Sequence, residues 1–342
     1  MKRFLLPAAL LLPLALLASA CSSPSSADSG TDGKGSVVLR VGDQKGGAEA
    51  VLRAAGELDD LPYRITWSTF TSGPPLLEAV NAKAVDIGAV GNTPPVFAAG
   101  ADSKIAVVAA THGDPAGEAI VVARDSPLRT TQHLKGRKVA VAQGSSAHFQ
   151  LIASLRKAGL SLDDIDVSLL QPADALAAFT SGKVDAWAVW DPYTSQVLAN
   201  GKARVLTDGR GVVNGLGFQV AAPAALADKE KAKAIGDYIE RLRRAQDWVY
   251  AHPDAWAKAW AKETGLPYEV ALACVKRSNG TRIAVALDKE AIASEQEIAD
   301  TFAELKLIPR TFRFADYVDT RFNENLPPST TPARGYGKGS TS

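Results

Sequence analysis

The sequence predicts an α/β fold arranged as two similar lobes with mostly parallel sheets. Three observations carry this. Short β-rich runs alternate with helical runs from residue 36 onward. The same order of elements returns after residue 137. Two extended apolar segments, EAIVVARDSP (118–127) and GLGFQVAAPAAL (215–226), lie where a chain would cross between the halves.

In the first half VVLRVG, YRITWSTF, VDIGAVG and KIAVVAAT read as strands, separated by the helical runs AEAVLRAAGEL, PPLLEAVNA and PPVFAAGA. In the second, KVAVAQ, VSLLQ and VDAWAVWDP are strands, with SSAHFQLIASLRKAG and ADALAAFTSG as helices. At a constant offset of 99, Gln44 meets Gln143, Leu77 meets Leu176, and Asp86 meets Asp185. Both halves carry V-D-x-x-x-V-x-[N/D] at the end of a strand. The stretch from Lys229 to Ile308 reads as a run of amphipathic helices, with Ile235, Tyr238, Ile239, Leu242, Ala245 and Trp248 on one face of the first.

Composition narrows the function. The 342 residues are 46% hydrophobic and 22% charged with a net charge of +1. No basic run suggests a nucleic-acid partner. Four histidines without ligand spacing and the absence of a nucleophile elbow or phosphate loop leave no metal, cofactor or catalytic motif.

The N-terminus has signal-peptide anatomy: MKRF, then LLPAALLLPLALLASA, then Cys21. A cysteine directly after the small residues predicts a lipidated mature N-terminus. The expected organisation is signal peptide 1–20, lipid-anchored Ser/Gly/Asp linker 21–35, lobe 1 from 36–118 plus 222–325, lobe 2 from 119–221, and a disordered tail 326–342. Cys274 is expected to be a small core residue.

Ligands of open α/β sheets sit beyond the carboxyl ends of the strands, where loops enter helices. The candidate loops are DQKGG (43–47), TSGPP (71–75), GNTPP (91–95), QGSSAH (143–148), QPAD (171–174) and WDPY (190–193). Several helix starts converging on one cleft favour an anion. Prolines remove donors in TSGPP and GNTPP, leaving Ser72, Asn92 and Thr93. QGSSAH keeps its N–H groups, with Ser145, Ser146 and His148 among the candidates. Lys45 offers a countercharge, and Glu118 lies on the first crossing segment.

LRVGDQKGG, FTSGPPLLEAVN, VDIGAVGNTPPVFAAGA, VAVAQGSS and VDAWAVWDPY resemble the aliphatic-sulfonate-binding proteins of bacterial ABC importers, relatives of the taurine and nitrate binders. The resemblance runs from about Leu39 to Ile308. It implies a type II periplasmic-binding fold with two hinge strands, capture of an alkanesulfonate between the lobes for sulfur acquisition, and delivery to a membrane permease by an exported, lipid-anchored monomer. It also implies ligand contacts from Gln44, Lys45, Ser72, Gly73, Asn92, Thr93, Ser145, Ser146 and Trp187; an apolar tail against Trp187 would have Phe70, Trp190 or Phe218 as further candidates beside it. Two positions depart from the relatives: Asp43 replaces a frequent tyrosine and Asn92 a frequent glutamate. The competing ligands are taurine, nitrate or a sulfate ester. Taurine would require a carboxylate for its ammonium, from Asp191, Asp43 or Glu118. A thiamine-pyrimidine-related enzyme would require a lysine and a histidine in the cleft, for which Lys45 and His148 are the pair available.

Overall fold

The computed structural model describes residues 37–336. The expected signal peptide, Cys21 and the whole of the expected linker lie outside the described residues. In the first lobe β1 (Val38–Gln44), α1 (Ala48–Ala54), β2 (Arg64–Phe70), α2 (Gly73–Asn81), β3 (Ile87–Gly91), α3 (Thr93–Gly100) and β4 (Ala106–His112) follow in order. The second lobe holds β5 (Ala119–Ala123), β6 (Lys138–Val141), α4 (Ser146–Lys157), β7 (Asp166–Leu169), α5 (Pro172–Thr180), β8 (Ala186–Val189), α6 (Tyr193–Ala199) and β9 (Ala203–Asp208). The chain then returns to the first lobe through β10 (Leu216–Ala221), α7 (Pro223–Ala227), α8 (Lys229–Ala251), α9 (Pro253–Thr264), α10 (Tyr268–Arg277), β11 (Ile283–Val285) and α11 (Lys289–Glu304).

Two sheets result, ordered β11-β4-β10-β3-β1-β2 and β7-β6-β8-β5-β9. Apart from β11, they have the same plan: parallel strands, with one antiparallel strand inserted second from the β4 or β9 side. The inserted strands are β10 and β5, and this corrects the expected lobe boundary. Residues 216–221 belong to lobe 1, because LGFQVA is buried along its whole length and needs a strand partner on each side, supplied by β3 and β4. The crossings are made instead by residues 113–118 and 209–215, both rich in Gly. The two connectors are joined where Gly113 N–H donates to the Gly215 carbonyl at 3.0 Å.

The repeated V-D has a structural meaning. Asp86 accepts from Arg40 N–H at 2.9 Å, and Asp185 accepts from Lys138 N–H at 2.8 Å. Each aspartate thereby anchors the strand leading out of the repeat to a parallel neighbour in its own lobe, β3 to β1 and β8 to β6. Strand equivalence places Arg40 opposite Lys138, so the register slips by one residue in the first strand. Asp86 is buried beneath α8, where Arg40 and Lys231 pair with it at 2.5 and 2.9 Å. Burial alone would raise its pKa, but these partners hold it below the ordinary carboxylate value. Asp185 remains exposed.

The expectation of a disordered tail is also corrected for residues 326–336. Ala286 N–H donates to the Pro327 carbonyl at 2.8 Å, Ser329 N–H and Oγ donate to Asp288 at 2.8 and 2.5 Å, and the Arg334 guanidinium reaches Asp247 at 2.5 Å. The segment is too polar for a core, yet lobe 1 supplies fixed partners for its donors. Among the described residues no helix is long and apolar enough to cross a membrane.

Asp86→Asn is expected to cost about 2–3 kcal/mol in urea unfolding, less than for a fully buried pair because Arg40 and Lys231 reach solvent. Asp185→Asn, which loses one charge-assisted contact at an exposed site, is expected to cost about 1 kcal/mol or less. Equal losses would contradict the different burial of the two repeats.

Candidate functional site

A cavity of about 290 Å³ lies between the lobes, at the ends of β1 and β3, beside both connectors and the start of α4. Of the residues singled out in the sequence, Gln44, Lys45, Gly73, Glu118, Ser145, Ser146 and Asp191 line it. Ser72, Asn92, Thr93, His148 and Trp187 do not, and each has a physical reason to be elsewhere.

Ser72 Oγ donates across the cleft edge to Gln171 Oε1 at 2.9 Å, joined by Thr71 Oγ1 at 3.2 Å. It links the lobes and is fully buried. Asn92 Nδ2 donates to Asn214 Oδ1 at 2.9 Å, while Thr93 Oγ1 donates to Asn92 Oδ1 at 2.9 Å. Asn214 continues this network to Ser294 and Glu295, each at 2.8 Å. These polar groups tie the second connector to α11 and do not line the cavity.

Trp187 is in the core of lobe 2, packed with Phe179 and Tyr193 at ring separations of 6.1 and 5.9 Å. Strand alternation sends the neighbouring aromatic outward, and Trp190 lines the cavity instead. Phe218 lines it too and Phe70 does not. The wall continues onto α9, where Trp256 and Trp260 stand one helical turn apart. Trp260 Nε1 donates to the Gly46 carbonyl at 3.0 Å. Gly46 has φ +69°, and a Cβ there would come within 2.5 Å of that nitrogen, so the turn requires glycine.

The electrostatics differ from the expected pattern of converging helix starts. Asp43 fills the start of α1: its carboxylate accepts from the N–H groups of Gln44, Ala48 and Glu49 at 2.8, 2.8 and 2.9 Å. Burial raises the Asp43 pKa despite those bonds. That helix start is therefore closed to an anion by the chain's own carboxylate. The start of α4 is open. The N–H groups of Ser146 and Ala147 have no partner among the described residues, and Ser145 Oγ is turned back to the Ala142 carbonyl at 2.7 Å.

Arg282 was not singled out in the sequence. It lines the cavity from the loop before β11, with no hydrogen-bond or ion-pair partner among the described residues. Gly217 leaves room for it: a Cβ there would lie 3.1 Å from the guanidinium. Arg282 remains exposed to solvent at the cavity; the protein packed around it lowers its pKa, opposed by the charge of Glu118, and arginine keeps its proton under all ordinary conditions. The one signal in the sequence is a charged residue placed directly before the apolar strand IAV.

The remaining carboxylates differ in availability. Asp191 is fully engaged by Arg277 at 3.0 Å, Ser195 Oγ at 2.7 Å, Cys274 Sγ at 2.9 Å and Ser278 Oγ at 3.1 Å, pinning α10 of lobe 1 to α6 of lobe 2. Glu118 has an unpartnered, buried Oε2. His148 is wedged between Phe97 and Phe302 of lobe 1; its Nδ1 accepts from Gly144 N–H at 3.3 Å. Lys45 and His148 are thus not brought together in the cleft.

Two lobes closing on a cavity, through antiparallel strands joined by paired connectors, define a class of two-lobed ligand-binding proteins. The chain belongs to the NMT1-like family, which it matches over residues 48–265. A protein of Escherichia coli strain K12 whose name assigns it aliphatic-sulfonate binding is 38% identical over 80% of this chain and 85% of its own length. Among solved structures, the alkanesulfonate-binding protein SsuA from Xanthomonas axonopodis pv. citri, bound to MOPS, is 34% identical, with a TM-score of 0.76 and coverage of 83% of this chain and 99% of that one. The periplasmic aliphatic sulphonate binding protein SsuA from Escherichia coli is also 34% identical, with a TM-score of 0.71 and coverage of 84% and 98%.

His148 provides a pH test of the closed interface. Burial pushes its imidazole down to about 4, so the folded protein holds it neutral while the unfolded chain protonates near the ordinary value. Its contribution is complete above about pH 6.5 and lost as the pH falls toward 4. Between pH 7 and 4.5 the natural protein is expected to lose about 2–3 kcal/mol more stability than His148→Asn. Parallel losses in urea titrations would contradict this.

Proposed function

We propose that the protein is the extracytoplasmic substrate-binding component of an ABC importer, exported and held at the membrane through lipidated Cys21. It captures aliphatic sulfonates between its lobes as a monomer and passes them to a membrane permease; it is not an enzyme. The family and its sulfonate-binding relatives support the ligand class. The observation that carries the assignment of the site is the unpaired Arg282 guanidinium beside the open start of α4. One cation and two free N–H groups suit a permanently charged oxyanion.

In this reading the sulfonate accepts from Ser146 N–H on lobe 2 and from Arg282 on lobe 1, the two donors that line the cavity. Gln44, Lys45, Gly73 and Ser145 complete the surroundings, and the tail lies against Trp190 and Phe218. Because the contacts come from both lobes, the ligand binds the closed form more tightly than the open one, and that difference drives closure. The permease then engages the closed shape. A cavity of about 290 Å³ lined by aromatic groups favours an organic tail over a bare inorganic ion such as nitrate. With Asp191 and Asp43 both engaged, a taurine ammonium has Glu118 left among the three carboxylates considered.

Calorimetry with alkanesulfonates of increasing length tests the assignment. Affinity is expected to rise about fourfold per added methylene until the tail space is full, at about 0.8 kcal/mol each. Arg282→Gln is expected to weaken binding about tenfold to a hundredfold with little change in thermal midpoint, since the arginine makes no internal bond that is lost. Failure of every sulfonate to bind, or stronger binding of nitrate, would defeat the reading.

A further inference from the structure

The proposed anion position has an acidic neighbour that cannot withdraw. Glu118 ends the first connector, where its N–H donates to the Pro115 carbonyl at 2.9 Å and its carbonyl accepts from Gly209 N–H at 2.9 Å. Both connectors therefore fix its backbone. Its side chain lines the cavity beside the Ser146 hydroxyl, and Oε2 is buried without a partner. A fixed sulfonate at the start of α4 and an ionised Glu118 would place two negative charges together out of bulk water, which is strongly unfavourable.

The surrounding charges offer little relief. Asp114, on the same connector, accepts from Ala116 N–H at 2.9 Å. Asp191 faces Arg277, Asp208 is paired with Arg210 at 2.6 Å, and Asp43 is committed to the start of α1. Lys45 stands on the cavity margin. Arg282 is the one charge that acts directly on Glu118, and in the proposed complex it is shared with the sulfonate.

Resting on the sulfonate reading, we propose that Glu118 is protonated in the complex and donates its O–H to a sulfonate oxygen, so that capture of the anion is coupled to uptake of one proton. The proton comes from solvent or buffer; no covalent bond other than this O–H forms, and the sulfonate remains an anion throughout. In the empty cleft burial already pushes Glu118 up to about 7, against the pull of the Ser146 hydroxyl and of Arg282. An added negative charge moves it further in the same direction. Below about pH 7 the proton is in place before the ligand arrives, and affinity is flat. Above that it must be taken up on binding, and affinity falls until the pKa of the complex is reached.

The test uses butanesulfonate, which has no group that titrates between pH 6 and 9. Isothermal calorimetry at several pH values, in two buffers of different ionisation heat, reads affinity and proton uptake together. For the natural protein the Kd is expected to rise nearly tenfold between pH 7.5 and 8.5, with close to one proton absorbed per ligand at pH 8. Glu118→Gln, which keeps an N–H donor, is expected to bind within about threefold of the natural protein at pH 6.5 and to lose the pH dependence. A pH-independent Kd with no buffer-dependent heat in the natural protein overturns this proposal and leaves the sulfonate assignment standing. So does tighter binding of 3-aminopropanesulfonate than of butanesulfonate that disappears in Glu118→Gln, because Glu118 would then be ionised and serving an ammonium. No binding of any sulfonate at any pH defeats the assignment and the proposal together.

Discussion

The unpaired donors at the cleft are the constraint around which the account is organised. Among the described residues, the buried N–H groups of Ser146 and Ala147 at the start of α4 on lobe 2 lack internal partners, although leaving such groups unsatisfied is costly; the exposed Arg282 on lobe 1 also has no protein partner. Elsewhere the chain satisfies comparable groups itself: Asp43 caps α1, Asp228 caps α8, and Asp288 caps α11. The contrast between these filled helix starts and the open one gives the cleft its proposed preference for a negative ligand.

On the proposed reading, closure follows from the same distribution. Several contacts join the lobes outside the cavity: Ser72 with Gln171, Arg156 with Glu304, and His148 between Phe97 and Phe302. On the connector side, Asp191 pins α10 to α6 through Arg277, Cys274 and Ser278. This second cluster gathers Arg277, Ser195, Cys274 and Ser278 on one carboxylate, whereas the contacts of the first are spread over separate residues. On the proposed reading the connector side acts as the pivot, and the opposite edge parts to admit ligand.

Much of the architecture was legible in the sequence because it rests on periodicity. Alternating strands and helices defined both lobes, and the V-D repeat correctly marked two equivalent strand entries. Its meaning was structural, since Asp86 and Asp185 hold neighbouring strands. The site was less legible, because a polar residue at a helix start does not declare its partner. Asn92 found Asn214, a residue from the distant second connector, and Thr93 found Asn92. Trp187 and Trp190 were exchanged because only the register of β8 decides which ring enters the core. Arg282 was invisible as a ligand candidate, since a single arginine beside a short strand gains its place from tertiary packing of residues far apart in sequence. The tail was misjudged for a related reason: its composition builds no core, yet Asp288 and Asp247 offer it fixed partners.

A crystal structure of the complex with butanesulfonate tests the central claim most directly. The account expects sulfonate oxygens within about 3.2 Å of Ser146 N–H and of the Arg282 guanidinium at once, with the lobes closed. A sulfonate held by one lobe alone, or with Arg282 turned away to an internal carboxylate, would contradict it.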